Sequence, residues 1–177
     1  RLIMPAMHLN LGFLSKRAIA FYEERAKGGV GCIVTAAITP DPFLFDEVWE
    51  GRGTAASFVA RLRDTLAPAA HKYGATIGIQ LWYNNMYPAG MWGGYNLGAD
   101  EVTGDWVAPS ARGRMRALTS AEIKTIIGNL VLAAVKIKEA GFDFVDFNLA
   151  HGYLPCQFFS PIYNRRDDEY GGDLKRR

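Results

Sequence analysis

The spacing of apolar and polar positions along this chain changes several times, and each change marks an element. Leu2 to Met7 is a short apolar run that reads as a strand. From Ser15 the period becomes helical. Ser15 can cap the first turn, Ile19, Tyr22 and Ala26 share a face, and Gly28-Gly29 closes the helix after about Lys27. Val30 to Ala36 is apolar throughout, as a strand buried on both faces should be. Phe58, Leu62, Leu66 and Ala69 recur at helical spacing within Ala55 to Tyr73, although Pro68 should bend or break that helix. Gly74 then hands over to a third strand, Ala75 to Trp82. Thr119-Ser120-Ala121-Glu122 has the form of a capping box and opens the most regular helix, whose predicted inner face is Ile123, Ile126, Ile127, Leu130 and Ala134. Ala140-Gly141 ends it, and Phe142 to Phe147 forms a fourth strand.

Between the third strand and that helix, Tyr83 to Leu118 is rich in Gly, Pro, Asn and Trp and keeps no period. It reads as a long excursion whose aromatic content favours a functional loop. Buried strands alternating with helices predict a parallel sheet, either a barrel or a doubly wound sheet. No GxGxxG follows the first strand, which speaks against a dinucleotide-binding Rossmann unit. Polar residues gather where strands end: His8 after the first, Thr35 in the second, Gln80 in the third, Asn148 and His151 after the fourth. Convergence at carboxyl ends is the pattern of a (β/α)8 TIM barrel. With four strands in hand, the expectation is a partial barrel domain over residues 1–177, about the first four β/α units, with no second domain. Leu2-Ile3-Met4 is strand-like from the outset and Lys175-Arg176-Arg177 reads as the start of a helix, so the stretch is expected to belong to something longer.

Composition narrows the function classes without choosing one. The chain has 177 residues, 49% hydrophobic and 21% charged, with a net charge of +2. Its arginines are scattered, so neither nucleic acid nor a membrane surface is expected as a partner. No apolar run approaches the roughly 20 residues needed to span a bilayer. Cys32 and Cys156 lie far apart without a CxxC, which fits reduced packing residues in a cytoplasmic protein, and no metal-ligand spacing appears.

The densest chemistry follows the fourth strand, in Asn148-Leu149-Ala150-His151-Gly152-Tyr153-Leu154. An amide, an imidazole and a phenol stand within six residues of one another. Such groups can bind a carbonyl oxygen and deliver a proton. Taken singly, Asn148 could merely cap the strand, His151 could be a satisfied loop residue, and Tyr153 could be packing. Further on come Ser160-Pro161 and Asn164-Arg165-Arg166-Asp167-Asp168-Glu169-Tyr170-Gly171-Gly172, whose alternating charges could lock a long loop by ion pairs.

Together with Met4-Pro5-Ala6-Met7 and Gly78-Ile79-Gln80-Leu81-Trp82, these motifs closely resemble the old yellow enzyme family of flavin-dependent ene-reductases, which includes the 2,4-dienoyl-CoA reductase branch. The resemblance covers essentially the whole chain, and the tract ending in Tyr-Gly-Gly is its most specific part. It implies that Asn148 and His151 donate hydrogen bonds to a substrate carbonyl, an oxyanion site for charge that builds as hydride reaches the β-carbon. It implies that Tyr153 protonates the α-carbon; a phenol with an ordinary pKa near 10 is protonated at neutral pH and can act as a general acid. Gln80 matches the residue that meets the flavin pyrimidine edge, where an amide offers both donor and acceptor. Ala6, Met7 and Ala36 match backbone or apolar contacts beside the isoalloxazine, with plain barrel packing as the alternative. His8 stands where the family commonly has Thr or Cys near the flavin, and an imidazole there is bulkier and titrates near neutrality. Tyr83-Asn84-Asn85-Met86 replaces the family's His-Ala-Gly-Arg run, so substrate contacts from that loop do not carry over.

The resemblance implies an FMN-dependent oxidoreductase, reduced by NADH or NADPH, that reduces the C=C bond of an α,β-unsaturated carbonyl compound or enoyl thioester. In the family, the basic residue near the flavin and the cysteines of any iron–sulfur cluster lie beyond this stretch. Barrel phosphate sites are often built after strands seven and eight. These residues alone are therefore expected to bind FMN weakly or not at all and to expose apolar barrel surface. The alternative is a non-catalytic half-barrel module completed by pairing with another chain.

Overall fold

A computed structural model of the chain describes residues 2–40, 54–83, 97–98 and 116–177. These divide into two compact units, Arg1–Leu81 with Asn129–Phe147, and Trp82–Gly128 with Asn148–Arg177.

The first unit is a parallel sheet with helices. Its strands are β1 (Ile3–Met4), β2 (Cys32–Val34), β3 (Thr76–Leu81) and a last strand over Phe144–Phe147, in spatial order of sequence and all parallel. Pro5 has no amide hydrogen, so the β1 ladder ends sooner than the apolar run suggested. Between β1 and β2 runs α1 (Lys16–Lys27), where Ser15 Oγ accepts the Ala18 N–H as expected of the cap. Gly29 adopts φ 93° just beyond the helix, a left-handed conformation that costs glycine little.

The helix predicted over Ala55 to Tyr73 neither breaks nor continues evenly at Pro68. It runs as α2 (Ala55–Arg61), a π turn over Leu62–Leu66, and α3 (Ala67–His71). Pro68 has no N–H to continue the ladder. The wider turn ahead of it lets Ala67 N–H reach the Leu62 carbonyl, while Thr65 Oγ1 takes the Arg61 carbonyl at 2.6 Å. The proline is thereby accommodated without ending the helix.

The alternating residues of β3 settle which way the sheet faces. Ile77, Ile79 and Leu81 are fully buried in a core with Ile33, Tyr22, Leu62, Leu66, Ala133 and Ile137. Gly78 and Gln80 face the opposite side, as the period of two requires.

In the second unit, Leu97–Gly98 (β4) and Arg116–Ala117 (β5) pair as a small parallel ribbon, and the Phe144–Phe147 strand is accordingly β6. The rest of the predicted Tyr83 to Leu118 excursion lies outside the described residues. The helix α4 (Ser120–Glu139) begins on the expected capping box: Thr119 N–H donates to the Glu122 carboxylate at 2.8 Å, and Glu122 N–H donates to Thr119 Oγ1 at 3.2 Å. Its inner face differs from the expected one. Ile123, Ile126, Ala133, Ile137 and Ala140 are buried, whereas Ile127 is 48% exposed, with Val131 and Val135 beside it on an open stripe. Apolar residues surround much of this helix, so periodicity offered two stripes and packing chose one.

Candidate active site

The predicted cofactor residues all lie in the first unit, at or near the carboxyl ends of β1, β2 and β3. Ala6 is half-buried, while Met7 and His8 are exposed. Thr35 and Ala36 follow β2 directly and are buried. Tyr22, itself buried on α1, receives the Ala36 N–H on its hydroxyl at 2.8 Å. Burial pushes the Tyr22 phenol up despite that bond. Because its N–H is taken, what Ala36 offers a ligand is a small apolar side chain rather than an amide donor.

Gln80 closes β3 on the face turned away from the helical core and is half-buried. Its register partner in β6 is Asp146, and Gln80 Nε2 donates to Asp146 Oδ2 at 2.6 Å. Two pairs earlier, on the same face, Gly78 faces Phe144 so closely that a Cβ on Gly78 would lie 2.2 Å from the ring. Only glycine fits beneath that ring. An amide with both polarities, flanked by small residues at strand ends, suits the donor–acceptor edge of a flavin pyrimidine ring.

The predicted substrate residues all lie in the second unit, in the turn that follows β6. Ala150 N–H donates to Asn148 Oδ1 at 3.0 Å, an Asx turn that fixes which end of the amide is the oxygen. Its Nδ2 is therefore the end turned to other partners. His151 adopts φ 60° and Gly152 φ 72°, a left-handed pair that reverses the chain at once. Left-handed backbone is uncommon for histidine and costs energy, so the turn must be held by its surroundings. Gln157, 4% exposed, does part of this by donating from Nε2 to the Gly152 carbonyl at 2.8 Å. Tyr153 precedes α5 (Leu154–Phe159), with Pro155 in the first turn where its missing N–H is harmless. The Tyr153 ring stands edge-on to Trp82, centroids 4.7 Å apart, and 5.8 Å from the His151 ring. The turn thus brings His151 and Tyr153 into ring contact, three residues beyond Asn148.

The tract expected to lock a loop does so through specific polar bonds. Arg166 pairs with Asp168 through two guanidinium nitrogens, Nε lying 2.9 Å from Oδ1, and its Nη1 donates to the Leu118 carbonyl at 2.6 Å. Asp168 also accepts from Tyr170 N–H and Ser120 Oγ. The Arg166 guanidinium holds its carboxyl down at about 2. Buried Asn164 donates to the Phe158 and Tyr170 carbonyls and accepts from Arg166 N–H. Gly171 is obligatory here, since a Cβ would lie 1.9 Å from the Arg166 carbonyl oxygen.

Reasoning from the sequence missed Asp146, Gln157 and the Arg166–Leu118 bond. A polar residue inside an apolar strand or helix was the available signal for the first two, because such a group is costly to bury unpaired. Among the described residues no group of three or more His, Cys, Asp or Glu is placed to hold a metal ion, and no helix is long and apolar enough to cross a membrane.

Parallel strands joined through helices, with polar side chains collected after the strand ends, make this chain part of a TIM-barrel fold. It belongs to the NADH:flavin oxidoreductase / NADH oxidase family, whose sequence profile matches residues 3–177, and the resemblance to old yellow enzymes holds. An NADH oxidase of Thermoanaerobacter brockii is 38% identical over 190 residues, covering 100% of this chain and 28% of that protein. An NADPH dehydrogenase of Clostridium acetobutylicum is 35% identical over 193 residues, covering 100% of this chain and 52% of its own length. In fold, the old yellow enzyme of a Pichia species superposes with a TM-score of 0.77 at 23% identity, over 99% of this chain and 49% of that one. The chain therefore spans from about a quarter to about half of the relatives it matches.

Proposed function

We propose that the intact gene product is an FMN-dependent enzyme that uses NADH or NADPH to reduce the C=C bond of an α,β-unsaturated carbonyl compound or enoyl thioester. The observation that carries this reading is the turn after β6. There an amide of fixed sense, an imidazole on a left-handed backbone and a phenol held between aromatic rings follow one another within six residues. FMN, when bound, would supply hydride chemistry, with NADH or NADPH as reductant. Asn148 Nδ2 and a His151 ring N–H donate to the substrate carbonyl oxygen, where charge develops as the β-carbon is reduced. Tyr153 passes its hydroxyl proton to the α-carbon, so one hydride and one proton add across the double bond, and solvent reprotonates the phenolate. Gln80 holds the pyrimidine edge of the cofactor, with Ala6, Met7, His8 and Ala36 around it, and any iron–sulfur ligands lie outside these residues.

Anaerobic stopped-flow with NADPH and then an enone separates these roles. Tyr153→Phe should leave flavin reduction unchanged and slow its reoxidation by the enone at least about a hundredfold, the usual scale of a lost general acid. An unchanged reoxidation rate, or purified protein without flavin, would sink the proposal.

For the 177-residue stretch by itself, we propose weak FMN binding and a tendency to associate. Leu2 is 72% exposed, Ile3 67% and Met7 49%, apolar surface that begs a cover. Size-exclusion chromatography read at flavin wavelengths decides between colourless aggregation and the alternative of a yellow, self-completing dimer.

A further inference from the structure

We propose that Asp146 is a positioning residue that sets the sense of the Gln80 amide and thereby selects what chemistry Gln80 can bind; this rests on the reading of Gln80 as a cofactor contact. Gln80 and Asp146 are register partners on adjacent parallel strands, so their side chains stand on the same face of the sheet. Nε2 of Gln80 lies 2.6 Å from Asp146 Oδ2. A hydrogen bond to a carboxylate is shorter and stronger than one between neutral groups. A carboxylate accepts and does not donate, so the nitrogen of the amide, and not its oxygen, must turn toward β6.

Two consequences follow for a ligand. It meets the carbonyl oxygen of Gln80, an acceptor, on the end of the amide turned away from Asp146. The N–H of an imide edge suits that oxygen; an edge of acceptors alone does not. Phe144 lies over Gly78 two pairs earlier on this face. The second consequence is electrostatic. A ring held by Gln80 has a negative charge one amide away, which disfavours charge gained by that ring on reduction. Asp146 therefore lowers the reduction potential of whatever redox ring Gln80 holds.

The test uses the intact gene product stripped of flavin and reconstituted with FMN, comparing wild type with D146N, D146E and Q80A. Dissociation constant, midpoint potential and thermal midpoint are measured for each. D146N lets either end of the Gln80 amide face β6, so it should weaken FMN binding about tenfold, the scale of one charge-assisted hydrogen bond. It should also raise the midpoint potential, with no fall in thermal midpoint. D146E should keep the wild-type potential, and Q80A should lose the sensitivity to position 146. D146N with wild-type affinity and potential overturns the positioning role while leaving the cofactor reading intact. Weakened binding that tracks a fall in thermal midpoint reduces Asp146 to a structural residue and also overturns it. If wild type itself binds no FMN, the cofactor reading fails and the role of Asp146 goes with it.

Discussion

The two units of this chain are held by different forces. In the first, fully buried Ile33, Ile77, Ile79, Leu81, Leu62 and Leu66 form an apolar core, and the buried Tyr22-to-Ala36 bond ties α1 to the end of β2. In the second, the loop after β6 is held by buried Asn164, by Gln157 and by the Arg166–Asp168 pair anchored on the Leu118 carbonyl. Apolar packing is indifferent to which small ligand is present and to moderate changes in pH. A polar clip can hold a left-handed histidine in one conformation, because each of its bonds has a direction. The turn after β6 is tied by the Gln157–Gly152 bond, whereas the strand ends rest on the apolar core.

The largest expected effects break that comparison from either side. Ile79→Ala removes a fully buried side chain and should cost about 2–5 kcal/mol, seen as a lower urea midpoint for the sheet. Arg166→Ala should cost about 1–3 kcal/mol, because it removes the donor of the partly exposed Asp168 carboxylate and of the Leu118 carbonyl. Hydrogen exchange separates the two: Arg166→Ala should deprotect amides of 148–172 and spare β2 and β3, and uniform deprotection would refute the division. Tyr22→Phe should cost about 1–3 kcal/mol, since it leaves the buried Ala36 N–H without its acceptor.

Acid acts on one carboxylate in each unit. The Asp168 carboxyl is held at about 2, below its ordinary 3.8, so the stability it contributes is complete above the ordinary value. That contribution, about 1–2 kcal/mol after solvent screening, is lost as pH falls from near 4 toward 2. Asp143 moves in the same direction. Burial alone would raise it, but the His71 ring at 2.9 Å and the Ile77 N–H at 2.8 Å together outweigh that. A stability profile flat across this range would contradict both assignments. The smallest expected change is His8→Thr. This exposed residue should leave stability untouched and alter only the flavin midpoint potential, and an unchanged potential removes His8 from the cofactor's surroundings.

Much of this was legible along the chain because the responsible interactions are local. The Ser15 cap and the Thr119–Glu122 box each join groups three residues apart, so spacing alone reveals them. The four strands follow from apolar runs ended by Gly and Pro. The candidate site was legible as a motif, since Asn148, His151 and Tyr153 come from one turn. Its supports were not. Asp146 meets Gln80, and Arg166 meets Leu118, across separations that no periodicity encodes.

By itself, the sequence determined the order of elements, their caps and the set of chemical groups after β6, because backbone propensity and neighbouring side chains act over a turn or two. Tertiary structure alone decided which stripe of α4 is buried, since Ile127 and Ile126 are equally apolar and only a partner distinguishes them. It also decided that Pro68 would be absorbed by a π turn, because continuous packing of Leu62, Leu66 and Ala70 outweighs one lost hydrogen bond. And it decided which way the Gln80 amide points, because direction in a side-chain amide is set by the atom it meets across the sheet.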